Sequence, residues 1–169
     1  EEYDRRRITR MTDPTSDNTR KMRDFSRSLP MALLRAREAV MERFRPNLRA
    51  NDVTDQQWRV LRALYDHGAM DLGDLAEICC LLKPSLSRII RDLETRNLLL
   101  RKVDQKDQRR SVVSIKSGGR ILIEKVGPHS EKRYNEIAKQ FGSQELDDLY
   151  SKLENLIETL ERLDNEKGA

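Results

Sequence analysis

Aromatic residues and long apolar runs are scarce in this chain of 169 residues. Aromatic side chains make up 5% of the sequence, and hydrophobic residues of all kinds reach 37%, the same share as the charged residues. This is little core material for one compact globule and is typical of long helices with solvated faces. No apolar run approaches the roughly 20 residues that a membrane-spanning helix needs, which argues against such a helix.

Cysteine and histidine are also rare, and their positions exclude several kinds of site. The two cysteines, Cys79 and Cys80, are neighbours and cannot link distant segments, so a secreted disulfide framework is excluded. The two histidines, His67 and His129, have no ligand spacing around them, and we expect neither a metal nor a cofactor. Because no nucleophile–base pairing or phosphate loop is present, we do not expect an enzyme. The charged N-terminus lacks an apolar signal core, which favours a cytoplasmic protein.

The charge balance is mildly basic, with a formal net charge of +4. This is compatible with a nucleic-acid partner, but a basic protein without such a partner has the same balance. Residues 1–22 are polar and include three consecutive arginines from Arg5. They are typical of a flexible basic arm, which either contacts phosphates or is a leader without function.

Helical patterns begin at Leu29. Apolar residues then recur at spacings of three and four, at Leu29, Leu33, Ala36, Val40 and Phe44. Pro46 should end or kink this helix. Thr54 and Gln57 have the spacing of a capping box, which predicts the start of a second helix that ends at Gly68. Its predicted buried face comprises Trp58, Leu61, Leu64 and Tyr65. Asp71 should cap a short third helix that carries Leu72, Leu75, Ala76 and Ile78.

The most informative stretch runs from Lys83 to Ile115. Pro84 predicts the first residue of a helix, and Asn97 predicts its left-handed stop. Leu86, Ile89, Ile90 and Leu93 should face inward, whereas Ser85, Ser87, Arg88, Arg91 and Asp92 should face outward or flank that stripe. Two β-rich runs, 98–103 and 111–115, flank the charged loop 104–110. A polar-faced helix followed by a hairpin with a cationic tip is the ground plan of a winged helix that reads DNA.

Two long helices should follow the hairpin. The first spans Ser117 to Phe141, with a kink near Gly127 because Pro128 removes a backbone hydrogen bond. Gly142 should break it and Ser143 should cap the next. Leucines then repeat with a seven-residue period, which favours packing against other helices: Leu146, Leu149, Leu153, Leu156, Leu160 and Leu163.

This order of elements resembles the MarR family of winged-helix regulators over about residues 25–163. The most specific match is the wing, Asp104-x-x-Asp107-x-Arg109 followed by Ser111-Val112-Val113-Ser114-Ile115 and Gly119. The resemblance implies that Asp107 organises the loop by pairing with Arg109, and that Arg109 enters the minor groove. The family usually has threonine where this chain has Lys116, so we expect Ser117 to cap the next helix instead.

The predicted DNA-binding residues lie on the helix and in the loop. They are Lys83, Ser85, Ser87, Arg88 and Arg91, together with Lys106, Asp107, Arg109 and Arg110. Arginine can bond guanine edges bidentately, and serine can contact phosphate or base. The alternative is that both the helix face and the loop are merely solvated, and the pattern does not say which residue reads a base.

Several runs resemble more specifically the homoprotocatechuate-operon repressors within the family. These runs are Ser28–Glu38, Phe44–Pro46, Thr54–Arg62 and Cys80–Ser85. The resemblance implies repression of operons for the degradation of aromatic acids, with release from DNA by the aromatic acid itself.

Candidate effector residues lie on the first and second helices: Ser28, Arg35, Arg37, Trp58 and Arg62. Tryptophan and arginine four residues apart share a helix face and offer an aromatic carboxylate an apolar wall and a bidentate cation. The alternative is that the arginines form surface or dimer ion pairs and that the tryptophan belongs to the core. For the cysteine pair, buried small hydrophobic residues are favoured over a redox switch.

These patterns predict a mainly α-helical protein with a small β wing, forming a homodimer. We expect an arm at residues 1–22, a dimerisation helix at 23–50, a winged helix-turn-helix DNA-binding domain at 51–116 and further dimerisation helices at 117–165. The expected function is ligand-responsive repression at a pseudo-palindromic operator of an aromatic-compound catabolic operon, with release by a small aromatic acid of the phenolic, aryl-acetic or hydroxycinnamic type. The alternatives are a cysteine-based oxidant sensor and a constitutive architectural DNA binder.

Overall fold

The computed structural model describes residues 24–103 and 111–167. After a 3₁₀ turn at Phe25–Arg27, the elements are α1 (Leu29–Arg49), α2 (Asp55–His67), β1 (Met70–Asp71), α3 (Leu72–Ile78), α4 (Lys83–Thr95), β2 (Leu99–Val103), β3 (Ser111–Ile115), α5 (Ser117–Phe141) and α6 (Ser143–Lys167). The chain divides into two compact units, Glu1–Ala39 and Val40–Ala169. In the described ranges, no helix combines the length and the apolar character needed to cross a membrane.

Helix α1 begins in the N-terminal unit, where the Ser28 carbonyl accepts a hydrogen bond from the Ala32 amide at 2.9 Å. Pro46 does not end this helix, because α1 continues to Arg49, and the predicted alternative, a kink at Pro46, stays a prediction. A proline removes one N–H but leaves its own carbonyl, and the Pro46 carbonyl accepts from Ala50 at 3.1 Å. Leu48, two residues beyond the proline, is buried and anchors the last turn in the core.

The core of the larger unit lies where α2, α3 and α4 meet the sheet. Its fully buried side chains include Leu61, Leu64, Leu75, Ile90, Leu93 and Val113. The sheet has the strand order β1-β3-β2, with both pairs antiparallel. Strand β1 was not predicted from the sequence, and it pairs Met70 with Val113 and Asp71 with Val112. The predicted hairpin is confirmed, although β2 begins at Leu99 rather than at Leu98.

The helix boundaries follow local capping chemistry. The Thr54–Gln57 capping box and the Asp71 cap are both present, and Gly68 and Asn97 have the positive φ angles of 82° and 60° that end helices. Three finer predictions are wrong, each by one residue. Pro84 is the second residue of α4, whereas Ser117 and Ser143 are the first residues of their helices and do not precede them as caps.

Two predicted burial assignments are wrong as well. Tyr65, which was predicted on the buried face of α2, is 36% exposed, and Val60 on the same helix is buried instead. Cys79 is fully buried as predicted, but Cys80 is exposed. The Cys80 backbone has a φ angle of 48°, and this left-handed turn carries the chain from α3 towards α4.

Helices α5 and α6 extend beyond this core with apolar side chains on their surfaces. Pro128 lies inside α5, which spans the predicted residues Ser117 to Phe141. The exposed large apolar residues of the two helices include Ile121, Phe141, Leu149, Ile157, Leu160 and Leu163. Exposed apolar side chains on two long helices are typical of an interaction surface.

Candidate functional site

Helix α4 presents one apolar and one polar face. Leu86, Ile89, Ile90 and Leu93 are buried, as predicted, and fix the helix against the core. The opposite face exposes Lys83, Ser85, Arg88 and Arg91, and Ser87 is half-buried beside it. Helical periodicity alone produces this division, because residues three and four apart share a face.

The cations of this face are available to a ligand. Within residues 24–103 and 111–167, no ion pair involves Lys83, Arg88 or Arg91. Arginines held on a rigid helix suit both bidentate contacts to guanine and contacts to phosphate oxygens. The face therefore has the chemistry of a nucleic-acid interface.

The hairpin beside α4 is tied to it at its base. The backbone amide of Arg101 on β2 donates to the Glu94 carboxylate of α4 at 2.8 Å. Arg101 Nη2 also donates to Ser111 Oγ on β3 at 3.1 Å. The predicted wing-tip residues, Lys106, Asp107, Arg109 and Arg110, lie outside the described residues, so their roles stay predictions.

Two exposed cations on β2, Arg101 and Lys102, were not singled out from the sequence. Both add positive charge to the strand that leads into the wing. The signal in the sequence was two consecutive basic residues in a predicted strand. Successive strand residues point to opposite faces of a sheet, and here both side chains reach solvent.

The candidate effector residues of the N-terminal unit lie on its helical segment. Ser28 is half-buried at the start of α1, and Arg35 is exposed. Arg37 Nη1 lies 2.5 Å from Glu38 Oε1, with both side chains more than 40% exposed. An exposed pair between sequence neighbours contributes little stability, so Arg37 can exchange this partner for another anion.

In the larger unit, Arg62 lies on α2, and aromatic side chains lie on the same helix and on α5. Arg62 Nη2 lies 2.9 Å from Asp66 Oδ2, one helical turn away on α2. The partly buried Trp58 packs against the core four residues earlier on that helix. On α5, Tyr134 packs its ring against Phe44, with ring centroids 4.9 Å apart.

Tyr134 was missed by the sequence analysis, because only the fold brings α5 to α2. Burial raises the pKa of the Tyr134 hydroxyl, with a further increase from Tyr150, and the positive charge of Arg62 opposes the shift. The hydroxyl therefore remains protonated at neutral pH. A phenolic donor, a guanidinium and two aromatic rings are what a small aromatic carboxylate requires.

The two cysteines occupy opposite environments. The buried Cys79 thiol donates to the Arg59 carbonyl at 3.7 Å, and Arg59 Nη1 donates to the Cys79 carbonyl at 2.6 Å. Burial is the main cause that raises the pKa of the Cys79 thiol, although the positive charge of Arg59 lowers it. A reactive thiol needs the opposite shift, so this environment does not favour oxidant sensing through Cys79.

Comparison with known proteins identifies the family. Residues 53–111 match the model of the MarR family. The homoprotocatechuate degradative operon repressor of Escherichia coli is 38% identical over 130 residues, which cover 77% of this chain and 88% of that protein. The chain belongs to the MarR family.

Solved structures of MarR-type regulators share the fold. NadR in complex with 4-hydroxyphenylacetate is 36% identical, with a TM-score of 0.71, and the match covers 80% of this chain and 96% of NadR. The repressor CouR bound to a 23-mer DNA duplex is 25% identical, with a TM-score of 0.72, and the match covers 81% of this chain and 97% of CouR. This MarR-family chain is thus a transcriptional regulator with the predicted winged-helix fold, and the relatives are regulators rather than enzymes.

Proposed function

We propose that this MarR-family protein is a cytoplasmic homodimeric repressor that binds a pseudo-palindromic operator through α4 and the wing. The observation that carries the proposal is the exposed face of α4, on which Lys83, Arg88 and Arg91 have no anionic partner among the described residues. A helix of this kind fits the major groove, and the hairpin beside it reaches the neighbouring backbone or minor groove. The DNA duplex in the CouR complex supports this assignment.

The dimer is proposed from the apolar surfaces of the long helices. Leu149, Leu160 and Leu163 of the predicted heptad repeat on α6 are 40% to 50% exposed, and Ile157 on the same helix is 56% exposed. A second copy of the chain would cover them and would place two recognition helices on one face of the duplex. Two-fold symmetry of the protein then requires two half-sites about one helical turn apart.

The proposed effector is a small aromatic carboxylate that releases the operator of an aromatic-compound catabolic operon. Arg62 would hold the carboxylate, Trp58 would form an apolar wall, and the Tyr134 hydroxyl would donate a hydrogen bond. Ser28, Arg35 and Arg37, which the sequence also indicated as ligand contacts, stay predictions. The names of the homoprotocatechuate repressor and of the NadR complex with 4-hydroxyphenylacetate support this class of ligand. A ligand that prefers the conformation unable to bind DNA shifts the population away from the operator.

The experiment that tests the DNA interface is a titration with a duplex selected from a random library by the wild-type protein. Arg88→Ala and Arg91→Ala should each lower affinity by about 1–3 kcal/mol if the residue reads a base. A residue that only neutralises phosphate should instead reduce the salt slope by about one. Arg133→Ala is the matched control, because Arg133 is an exposed α5 arginine paired with Glu136. Unchanged affinity in both α4 variants would contradict the proposed interface.

A further inference from the structure

Apolar packing alone leaves the recognition helix free to make small rotations and slides. The four buried residues of α4 fix its depth in the core, but hydrophobic contact is non-directional. Bidentate recognition of a base edge requires the donor atoms to be placed within about 0.5 Å. Directional contacts therefore add to the restriction that close packing places on the orientation of α4.

Gln57 makes one such contact with both ends of its side-chain amide. Its Oε1 accepts from the Thr54 backbone amide at 2.8 Å, which forms one half of the α2 capping box. Its Nε2 donates to Asp92 Oδ2 on α4 at 2.7 Å. Since the cap already orders the side chain, the Nε2 donor is held in place for Asp92 without further loss of rotamer freedom.

Asp92 lies among the cations of the exposed α4 face, directly after Arg91 and four residues after Arg88. A carboxylate at this position is unfavourable for a surface that approaches phosphates. Its other described partner, Arg96, is 3.8 Å away in an exposed i,i+4 pair, which contributes little stability. The hydrogen bond to Gln57 gives Asp92 a role at this position that does not involve touching DNA.

We propose that Gln57 is a positioning residue for DNA recognition, because its side chain ties the N-terminus of α2 to Asp92 and thereby sets the orientation of α4. This inference rests on the proposed DNA-binding function. The tie also connects α4 to α1, since Arg45 Nη2 on α1 lies 2.8 Å from Asp55 Oδ2 in the first turn of α2.

The variant Gln57→Glu separates capping from positioning. A glutamate at the third helical position still accepts the Thr54 amide, so the cap remains. It has no N–H for Asp92 and adds a like charge against it. The double variant Gln57→Glu with Asp92→Asn restores a donor–acceptor pair in the opposite sense, and its formal charge equals that of the wild type.

Affinity should be measured by fluorescence anisotropy for two duplexes, one selected from a random library by the wild-type protein and one with that sequence shuffled. The ratio of the two affinities removes the uniform effect of an added charge. We expect Gln57→Glu to lower this ratio about five- to tenfold, as the loss of one hydrogen bond would. The melting temperature should fall by no more than about 2–4 °C, because the cap is kept and one exposed hydrogen bond is lost. The double variant should return to within about twofold of the wild-type ratio.

The single variant Asp92→Asn completes a double-mutant cycle with these two variants. It should keep the wild-type ratio of affinities for the selected and shuffled duplexes, because Gln57 can still donate to the asparagine oxygen. An unchanged ratio in Gln57→Glu, or a double variant as poor as Gln57→Glu, would overturn the inference. If the wild type itself does not distinguish the selected duplex from the shuffled one, the proposed function fails and the positioning role fails with it. If the wild type binds the selected duplex selectively and Gln57→Glu does so equally well, only the positioning role is overturned.

Discussion

The Glu94 carboxylate on α4 accepts a hydrogen bond from the Arg101 backbone amide on β2 at 2.8 Å. Glu94 is in the last turn of the recognition helix, and Arg101 is the third residue of the strand that leads into the wing. This contact therefore joins the two parts of the protein that are proposed to bind DNA. Hydrogen bonds to charged groups are stronger than neutral ones, so the junction is held firmly for an exposed site.

Replacing Glu94 with alanine should lower the free energy of unfolding by about 1 kcal/mol, because the Arg101 amide loses its acceptor. Urea denaturation measures this change. Operator affinity should fall as well, since the wing is no longer tied to α4. Glu94→Gln is the matched control, because its side-chain oxygen still accepts from the amide. If glutamine and alanine destabilise the protein equally, the negative charge rather than the hydrogen bond is what matters.

Gly119 should not tolerate a side chain. A Cβ there would lie 2.5 Å from the Leu98 carbonyl oxygen and 2.7 Å from Ile115 Cγ1. The Leu98 carbonyl cannot withdraw freely, because it accepts a 2.9 Å hydrogen bond from the Lys116 amide. Gly119→Ala should therefore cost about 1–3 kcal/mol of stability through overpacking between α5 and the hairpin.

The matched control for this substitution is Gly127→Ala, also in α5. Nothing lies within 4 Å of a Cβ at Gly127, and alanine is the better helix former. Thermal unfolding should show no loss of stability for this variant. If both variants lost the same amount of stability, the close approach of Leu98 and Ile115 to Gly119 would not be the cause of the loss at that position.

Local chemistry made much of this fold predictable. The Thr54–Gln57 box, the Asp71 cap and the left-handed Asn97 each depend on a few neighbouring residues, and all three are confirmed. The inward face of α4 was predicted for the same reason, because a single periodicity determines it. Of the two outcomes predicted for Pro46, an end of the helix is excluded, since a proline removes only one backbone hydrogen bond and α1 continues to Arg49.

Pairing between distant segments could not be predicted. Strand β1 has only two residues, Met70 and Asp71, and it exists because β3 offers them partners. Tyr134 lies on α5 with no local signal that connects it to Arg62, 72 positions earlier in the chain. Cys80 has a left-handed backbone and is exposed. Its apolar neighbours in sequence had instead favoured burial.

The two thiols should differ strongly in reactivity. Burial raises the pKa of Cys79 and keeps it a protonated thiol, whereas Cys80 is exposed. A maleimide or disulfide reagent should therefore label one cysteine per folded chain and two per unfolded chain, as counted by mass spectrometry. Cys80→Ser should abolish labelling of the folded protein. Rapid labelling of Cys79 in that variant would contradict its burial and would revive the oxidant-sensing alternative.

The raised pKa of Cys79 also predicts that the free energy of unfolding depends on pH in the alkaline range. The folded pKa of Cys79 is raised above its unfolded value, so the unfolded chain loses this proton first as the pH rises. The contribution of Cys79 to stability is therefore complete below the ordinary thiol range and is lost as the pH rises through the folded pKa. Cys79→Ala should flatten this part of the stability profile in urea titrations at increasing pH, whatever its effect at neutral pH.

The last prediction concerns release of the operator by an aromatic carboxylate. If Arg62 holds the carboxylate, Arg62→Ala removes a charged hydrogen bond worth about 1.5–3 kcal/mol. The variant should still bind the selected duplex but should need roughly ten- to a hundredfold more 4-hydroxyphenylacetate for release. Tyr134→Phe should weaken the response less, because it removes one neutral donor. Anisotropy titrations of the protein–DNA complex with the acid measure both effects.

Asp66→Asn is the control for Arg62, since it removes the 2.9 Å partner of the guanidinium and leaves the cation in place. This variant should respond to the acid at least as well as the wild type, because a competing carboxylate is gone. The neutral amide of the same ligand should fail to release the DNA, and equal release by the amide and the acid would refute the anion site. If Arg62→Ala responds normally and Arg37→Ala does not, the carboxylate binds Arg37 instead. If Arg37→Ala loses DNA binding itself, that residue belongs to the dimer framework rather than to an effector site.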